Sequence, residues 1–562
     1  MNKRSVMVSA ILAAVAVVTP TATAEPTNPD GLVAAYHLTT KDGWSNDLQS
    51  IVWNEKAKHY DLYFLHSADG AENPLGPRGQ DWYHTTTTDF VHFTDQKQAI
   101  PASGGHTTDG WKSAWTGSVI NRGGTPTAYI SGLKKTDGSQ NIWAVASTDG
   151  GATFTKPLND GKPVLDITAP SASVNRTDER DPYVFTYDGK TLMYVAEGDH
   201  IGVYRSTDGI RWTKADAAAE AKIQPATFFR GRTWSDNAPI ECPVLKTMKT
   251  PAGDKQVLFF GAKDASRGET TGTYYTVGHL DANGMFVADT DTQRLDHGPD
   301  YYGANFTGST DISTAEATIT SLGWVGNWNY TADGVHAADN GSGPYLRRLG
   351  SYSLARELTL GADNRITQKL KTSDLKYRNV KTHTGVTKDK PISATGKTWV
   401  DRKDTNGDVY GLYDVPDQDA AQKHTLRFHN TAGNYTGRIY IDLWQGGDWV
   451  RFNYDPTDGW YNVKARAGEL DNSKKGQDST HYYFDGLLGN GNGYSAQSLV
   501  QDQRDITLEV YTDTTSVEFV FPNGHTFTIA RFSQSDKQDF KVFTEDPTGK
   551  NTVDIEVGDV GR

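Results

Sequence analysis

Cysteine is nearly absent from this 562-residue chain, in which Cys242 is the only one. A single cysteine excludes an intramolecular disulfide. Long apolar runs are also missing after the N-terminus, and the one run there, Val6–Val18, has 13 residues where about 20 are needed to cross a bilayer. The 56 basic residues (Lys and Arg) are outnumbered by 69 acidic residues (Asp and Glu), which gives a net charge of −13. This balance argues against nucleic-acid and membrane partners and suits a neutral ligand.

The N-terminus has the pattern of an export signal. Lys3 and Arg4 precede the apolar run, and Ala22-Thr23-Ala24 follows it as a small-x-small cleavage site. The sequence therefore predicts that residues 1–24 are a signal peptide and that the protein is secreted and extracellular. The remaining chain is longer than one hydrophobic core usually serves, so two domains are expected.

Helical periodicity is scarce, whereas short aromatic segments alternate with turns. Aromatic residues make up 11% of the chain and glycine occurs 56 times, which favours an all-β protein. A turn motif recurs with aspartates at Asp89, Asp149 and Asp208, at steps of 60 and 59 residues. These aspartates are interpreted as structural, because such side chains close turns by bonding their own backbone.

A second series has a similar period. Its steps are about 68, 66, 60 and 59 residues, and its points are Asp47, Trp115-Thr116-Gly117-Ser118, Asp181, Glu241 and Asp300. Five points at nearly equal steps predict a five-bladed β-propeller over residues 30–355. The period then stops. Residues 356–384 are interpreted as a connector, and alternating runs over 385–562 predict a β-sandwich.

Three acids of this series, Asp47, Asp181 and Glu241, are candidates for catalysis. A propeller brings the starts of its innermost strands together, so acids from different blades can share one pocket. Glycosidic cleavage needs one carboxyl group to protonate the leaving oxygen and a second to attack or to activate water. These acids therefore predict a glycosidase. Histidines show no ligand spacing, so neither a metal nor another cofactor is expected.

The neighbours of each acid predict its role. Asn46 can donate a hydrogen bond that keeps Asp47 ionised as a nucleophile. Ile240 and Cys242-Pro243 form an apolar setting for Glu241 that would raise its pKa and suit a general acid. The positive charge of Arg180 keeps Asp181 anionic, able to hold sugar hydroxyls and to stabilise developing positive charge.

These motifs resemble glycoside hydrolase family 32, which contains invertases, inulinases, levanases and fructosyltransferases. The likeness is carried by four ordered motifs: Trp44-x-Asn46-Asp47, Trp115-Thr116-Gly117-Ser118, Arg180-Asp181-Pro182 and Glu241-Cys242-Pro243. It continues through Asp296–Tyr302 and Gly323–Tyr330 to Leu508–Glu518, nearly the whole chain after residue 24.

The resemblance implies a five-bladed propeller with a trailing sandwich and a retaining mechanism without a metal. It makes Asp47 the nucleophile, Glu241 the acid/base and Asp181 the transition-state stabiliser. The sugar contacts expected from the motifs and their surroundings are Asn46, Gln49, Trp82, His84, Trp115, Ser118 and Arg180.

Two departures from the family pattern bear on the substrate. Invertase-like members continue the first motif as Asp-Pro-Asn-Gly, whereas this chain has Asp47-Leu48-Gln49-Ser50. Leu65 stands where those members carry a glutamine. Both changes remove polar groups near the sugar and favour a fructan partner, levan with β-2,6 linkages over inulin, rather than sucrose.

Three alternatives stay open from the sequence. The same site could transfer the fructosyl group to another sugar instead of water. A sialidase is disfavoured because it would leave the three acids unexplained. A non-catalytic carbohydrate-binding propeller is the alternative outside enzymes.

Overall fold

A computed structural model describes residues 33–69, 75–105, 109–166, 179–198, 200–216, 221–228, 240–263, 271–328, 348–393, 408–457, 459–466, 494–496, 503–533 and 535–562. The predicted signal peptide lies outside these ranges. Within them, no helix is long and apolar enough to cross a membrane. Helix among the described residues is limited to two short turns, Asn159–Gly161 (3₁₀) and α1 (Pro225–Phe228), and to Trp328.

Five sheets of antiparallel strands follow one another along the first part of the chain. The first contains β1 (Gly43–Asn54), β2 (His59–Ser67), β3 (Gln80–Thr87) and β4 (Lys97–Ile100). The second contains β5 (Trp111–Arg122), β6 (Thr125–Lys134), β7 (Gln140–Ala146) and β8 (Lys156–Pro157). The third contains β9 (Glu179–Tyr187), β10 (Lys190–Glu197), β11 (His200–Ser206), β12 (Thr213–Lys214) and β13 (Lys222–Ile223). The fourth contains β14 (Glu241–Met248), β15 (Lys255–Lys263), β16 (Thr271–Leu280), β17 (Phe286–Ala288) and β18 (Gln293–Arg294).

The fifth sheet links the ring of blades together. The chain continues through β19 (Tyr302–Phe306), β20 (Ala315–Glu316), β21 (Ile319–Trp324), β22 (Arg348–Leu349), β23 (Arg356–Leu360) and β24 (Ile366–Leu370). Strands β19, β21, β23 and β24 form the sheet itself. The short β20 pairs in parallel with β14 of the fourth sheet, and β22 pairs in parallel with β1 of the first. The last blade is thus joined to both of its neighbours.

Two further sheets form the C-terminal sandwich. Its strands are β25 (Lys376–Val386), β26 (Ile392–Ser393), β27 (Val409–Asp419), β28 (Gln422–Asn430), β29 (Ile439–Gln445), β30 (Asp448–Asp455), β31 (Trp460–Arg466), β32 (Tyr494–Ala496), β33 (Asp505–Thr512), β34 (Ser516–Val520), β35 (Thr526–Ala530), β36 (Lys537–Glu545) and β37 (Asn551–Gly561). One sheet has the order β25-β37-β28-β33-β34-β35, and the other β26-β27-β36-β29-β30-β31-β32. The predicted fold class, a five-bladed β-propeller followed by a β-sandwich, is confirmed.

The predicted connector at residues 356–384 is wrong. Strands β23 and β24 belong to the fifth blade, and β25 already pairs with β37 of the sandwich, so the sandwich begins before residue 385. The charged residues that suggested a connector lie on exposed faces. Strand β24 alternates buried and exposed positions, whereas nearly all of β25 is exposed. A polar strand at a sheet edge has the composition of a linker.

Each first strand of a blade departs from regular pairing near its start. Register shifts occur at Ser45/Leu48 in β1, Trp111/Ala114 and Ala114/Gly117 in β5, Glu241/Val244 in β14 and Tyr302/Asn305 in β19, and in β9 opposite Tyr194/Ala196. Such irregularities bend a strand and turn a side chain away from its regular direction. All five lie toward the same end of the propeller channel.

A buried network of charges joins the propeller to the sandwich. Arg356 of β23 forms ion pairs with Asp296 (2.6 Å) and with Glu518 of β34 (2.8 Å). His37, which precedes the first blade, lies between Glu518 (2.9 Å) and Asp513 (2.8 Å). Hydrogen bonds that its ring nitrogens donate to the two carboxylates raise the pKa of His37 to about 9, although burial opposes the shift. The imidazolium therefore acts as a cation between two sandwich acids.

This network predicts that stability depends on pH through His37. Because its pKa is about 9 in the folded protein and about 6.5 when unfolded, its contribution is complete below pH 6.5 and is lost as the pH rises through 9. A shift of this size corresponds to about 3 kcal/mol. Thermal unfolding of His37→Gln should show a lower midpoint than wild type at pH 6 and a much smaller difference at pH 9.5.

His92→Gln is the matched control, because His92 contacts Asp89 at the surface with a half-exposed side chain. Its midpoint should follow the wild type at both pH values. An equal deficit of His37→Gln at pH 6 and 9.5 would contradict the charged network.

Candidate active site

A cavity of about 260 Å³ opens at the end of the channel where the strands are irregular. Four of the blades contribute a residue at or near the start of their first strand. The lining residues are Asn46, Asp47, Leu65, Leu75, Gln80, Trp115, Thr116, Gln140, Arg180, Asp181, Glu241 and Trp328. The structure therefore brings the three predicted catalytic acids into one cavity, together with three of the predicted sugar contacts, Asn46, Trp115 and Arg180.

Asp47 is held within β1 by contacts on both sides. The side-chain amide of Gln49 donates to its carbonyl oxygen (2.7 Å). On the other side Gly303 of β19 has a φ of +49°, and a Cβ atom there would lie 2.4 Å from the Asp47 carboxyl carbon. Glycine at this position therefore makes room for the carboxylate and also adopts a backbone conformation that other residues rarely do.

Asp181 and Cys242 form the centre of the acid cluster. Both have positive φ values, 65° and 51°, which is uncommon for residues other than glycine. The backbone N–H of Cys242 donates to Oδ2 of Asp181 (2.9 Å). Its thiol Sγ lies 3.7 Å from Oδ2 of Asp181 and 3.7 Å from Oδ2 of Asp47. Because both oxygens lie 3.7 Å from the same sulfur atom, Oδ2 of Asp47 and Oδ2 of Asp181 are separated by at most twice 3.7 Å.

Glu241 begins β14 and is held by two polar partners. The Arg180 guanidinium pairs with its Oε1 (2.5 Å), and the Tyr302 hydroxyl donates to its Oε2. The predicted apolar setting is therefore wrong for the carboxyl group itself. Ile240 is buried, but the side chain of Glu241 leaves the strand towards Arg180.

Burial dominates the electrostatics of the two aspartates. It holds the pKa of Asp47 well above its usual value, and the negative charges of Glu241 and Asp181 act in the same direction. Burial also raises the pKa of Asp181 to about 6, although the charge of Arg180 opposes it. The expectation that Arg180 dominates at Asp181 is wrong, because its guanidinium pairs directly with Glu241. Negative charge is crowded in this cavity, which favours a ligand that donates hydrogen bonds or develops positive charge.

Several buried polar atoms beside the acids have no hydrogen-bond partner among the described residues. They are Oδ1 of Asn46, Oδ1 of Asp181 and Nε2 of Gln80, whereas the Asn46 amide lies close enough to Asp47 for its hydrogen bond to oppose the rise in the pKa of Asp47. Buried polar groups are nearly always paired in folded proteins. A ligand carrying several hydroxyl groups would satisfy donors and acceptors together.

Gln49 and Ser118, predicted to contact the sugar, do not line the cavity. The Gln49 side chain accepts a bond from the Gly117 N–H (2.7 Å) and so joins the first blade to the second. The Ser118 hydroxyl donates to the Pro182 carbonyl (2.7 Å) and joins the second blade to the third. Both residues hold neighbouring blades in register, and the structure corrects their predicted role.

Trp82 and His84 also lie away from the cavity. Trp82 is fully buried, and its indole N–H donates to the Trp115 carbonyl (2.9 Å), so it supports the strand that carries Trp115. His84 bonds Asp61 (2.8 Å) and stacks on Tyr63. The prediction that these two side chains line the cavity is wrong, because among the residues of β3 only Gln80, at its start, lines it.

Sequence reasoning gave no role to Tyr302, Leu75 or Trp328. Tyr302 lies in the fifth blade beside Asp300, the residue chosen as the repeat point. Asp300 itself accepts a bond from the Ala530 N–H of the sandwich (2.8 Å). If the fifth point of the series had been placed at Tyr302 instead of Asp300, the sequence would have identified this tyrosine as a residue of the site. In the described part of the chain, no cluster of three potential metal ligands occurs.

Carboxylates from three blades, two of them buried, with unpaired hydrogen-bonding groups beside them, define a site of the glycoside hydrolase type. The family model for the N-terminal domain of glycosyl hydrolases family 32 matches residues 37–371. The chain belongs to this family, as its motifs predict.

Known relatives agree with this placement. A levanbiose-producing levanase of Bacillus subtilis is 30% identical over 58% of this chain and 60% of its own length. A levanbiose-producing levanase of Geobacillus stearothermophilus is 29% identical over 55% of this chain and 74% of its own length. A fructofuranosidase structure from Schwanniomyces occidentalis, 18% identical, has the same fold, with a TM-score of 0.69 over 96% of this chain and 99% of that one.

The acid cluster predicts an unreactive thiol at Cys242. Burial raises the pKa of Cys242 well above its usual value, and the charges of Asp181 and Asp47 raise it further. Because thiolate is the reactive form, iodoacetamide at pH 8 should leave the native protein unmodified. Asp181→Asn removes one of these charges and should accelerate alkylation several-fold, as measured by intact mass.

Cys242 is the only cysteine, so the mass reports on this residue alone. Asp149→Asn is the control, since that aspartate closes a turn with Thr153 and does not line the cavity. Equal rates for the two variants would show that the acids do not control the thiol.

Proposed function

We propose that this protein is a secreted retaining glycoside hydrolase that cleaves β-fructofuranosidic bonds in fructans, with levan as its main substrate. Its catalytic groups are Asp47 as nucleophile, Glu241 as acid/base and Asp181 as stabiliser of the transition state. The observation that carries the proposal is the meeting of these three carboxylates in one cavity beside Asn46.

The first step forms a covalent intermediate. An Asp47 carboxylate oxygen attacks the anomeric carbon of the fructosyl unit while the protonated carboxyl group of Glu241 gives its proton to the departing glycosidic oxygen. The bond from carbon to that oxygen breaks, and the leaving sugar departs as an alcohol. Asp181 remains anionic and stabilises the positive charge that develops on the sugar ring.

The second step returns the enzyme to its starting state. The Glu241 carboxylate takes a proton from water, and the water oxygen attacks the same carbon and displaces Asp47. Two displacements on opposite faces give net retention. Arg180 and Tyr302 hold the carboxyl group of Glu241 in place through both steps.

The walls of the cavity support a fructan rather than sucrose. Leu65, where invertase-like members carry glutamine, lines the cavity, and the exposed side chain of Leu75 lies at the same site with Trp115 and Trp328. Apolar and aromatic groups of this kind suit the carbon face of a neighbouring sugar better than a hydrogen-bonded glucose. The two levanase relatives support levan as the polymer.

The test is a time course of products from levan, inulin and sucrose, separated by chromatography. Wild type should release fructose or short oligosaccharides fastest from levan, and early products observed by NMR should retain their anomeric configuration. Asp47→Ala and Glu241→Gln should each reduce turnover by roughly 10²–10⁴-fold.

Asp208→Asn is the matched control, because Asp208 is a turn acid bonded to Ser206 and Arg211. Its turnover should equal that of wild type. Fructosyl products longer than the substrate would indicate transfer in place of hydrolysis. Binding of levan by wild type with no cleavage would contradict the enzyme and indicate a lectin.

Arg180 predicts a shift in the pH profile. Its charge lowers the pKa of Asp181, which burial holds at about 6, and Asp181 has to be ionised for activity. In Arg180→Met this pKa should rise further, so the acid limb of kcat/KM should move to higher pH. Arg180→Lys keeps the charge and should leave the limb close to that of wild type. An unmoved limb in Arg180→Met would contradict the role of Asp181.

A further inference from the structure

The propeller channel has a second cavity at its other end, larger than the active-site cavity. Its volume is about 520 Å³, and none of its lining residues is shared with the cavity that holds the acids. All five blades contribute to it through later positions of their first strands. These are Ser50–Trp53, Val119–Asn121, Tyr183, Lys246 and Asn305–Phe306. At about 3.3 Å per residue, the path along β1 from Asp47 to Trp53 spans roughly 15–20 Å.

Trp53 is the unusual residue of this cavity. Its side chain is 44% exposed, and it is the only tryptophan among the exposed large apolar side chains of the described residues. The Trp53 indole N–H donates to Glu55 (2.7 Å), which fixes the ring. Half-buried Tyr60 lies beside it, with ring centroids 4.9 Å apart. Together the two rings form a rigid aromatic wall that is open to solvent.

The remaining lining is polar with balanced charge. It presents neutral groups of Asn121, Ser309, Thr310 and Thr318. The charged lining residues are the cation Lys246 and the anion Glu316, so their charges compensate.

Lys246 is buried at the base of the cavity. Its Nζ donates to the carbonyls of Gly308 (3.1 Å) and Ser309 (3.4 Å). The same ammonium group lies 5.8 Å from the ring centre of Tyr183, another lining residue, so Lys246 is a fixed cation of the cavity wall.

We propose that this cavity is a second, non-catalytic binding site for a fructan chain. A cavity of this volume lies in the range of ligand sites, which combine an aromatic wall with a few placed polar groups. The balanced charge of the lining selects a neutral polyhydroxyl ligand over an anion, and the chain's net charge of −13 acts in the same direction. The choice of fructan rests on the proposed function, because a polymer cleaved at one end of the channel is available to the other.

The test counts binding sites in protein with an impaired active site. Calorimetric titration of Glu241→Gln with a β-2,6-linked fructotetraose should give two sites per chain. The double variant that carries Trp53→Ala as well as Glu241→Gln should bind the tetraose at one site per chain. On native gels containing levan, Trp53→Ala should raise the apparent dissociation constant about tenfold, as expected for loss of about 1.4 kcal/mol.

Two further variants make the result specific. Thr318→Trp fills the cavity from an exposed position and should remove the same site. Tyr377→Ala is the matched control, because Tyr377 is an aromatic side chain of the sandwich that is 39% exposed. It should leave both sites.

The proposal is overturned if Glu241→Gln binds one tetraose or none while wild type cleaves levan, or if Trp53→Ala still binds two. Failure of the proposed function would instead appear as wild type that cleaves no fructan. The two failures are therefore separated by assaying levan cleavage on the same preparation.

Discussion

The irregular pairing at the start of each inner strand is the constraint on which the site depends. A regular strand alternates its side chains between two faces, so adjacent residues such as Asn46 and Asp47 could not both line one cavity. The shift between Ser45 and Leu48 allows it. Positive φ values at Asp181 and Cys242 reorient the backbone in the third and fourth blades. Strain of this kind persists when the surrounding structure fixes it, here through bonds between blades.

The sequence predicted what depends on period and local chemistry. The series of five points from Asp47 to Asp300 predicted the number of blades, and three of its points are the acids that share the cavity. It could not show side-chain direction, so Gln49 and Ser118, which sit in the same motifs, were predicted as sugar contacts. Their backbone partners in the next blade, Gly117 and Pro182, are distant in sequence. Composition likewise failed at residues 356–384, where exposed strand faces are as polar as a linker.

The contact between the propeller and the sandwich could not be predicted from the sequence either. His37 and Glu518 are separated by most of the chain, yet they meet in one buried network with Arg356. A buried ion pair adds little net stability over an apolar contact, but loss of one partner leaves an uncompensated charge. Such a network therefore determines the orientation of the sandwich against the propeller more than it increases the stability of their contact. Glu518 contributes to this geometry by accepting from the Leu354 N–H (2.7 Å) as well.

The same strands build two separate cavities because the middle of the channel is filled. Gln49 bonds Gly117, and the Asn305 amide donates to the Gln49 carbonyl (2.9 Å), which links the first, second and fifth blades at mid-channel. Above this layer the strands are irregular and carry acids. Below it the lining is aromatic around Trp53 and otherwise polar, with the charges of Lys246 and Glu316 balanced. A bonded layer between them isolates the crowded carboxylates from the opposite opening, so each end can bind its own ligand without disturbing the other.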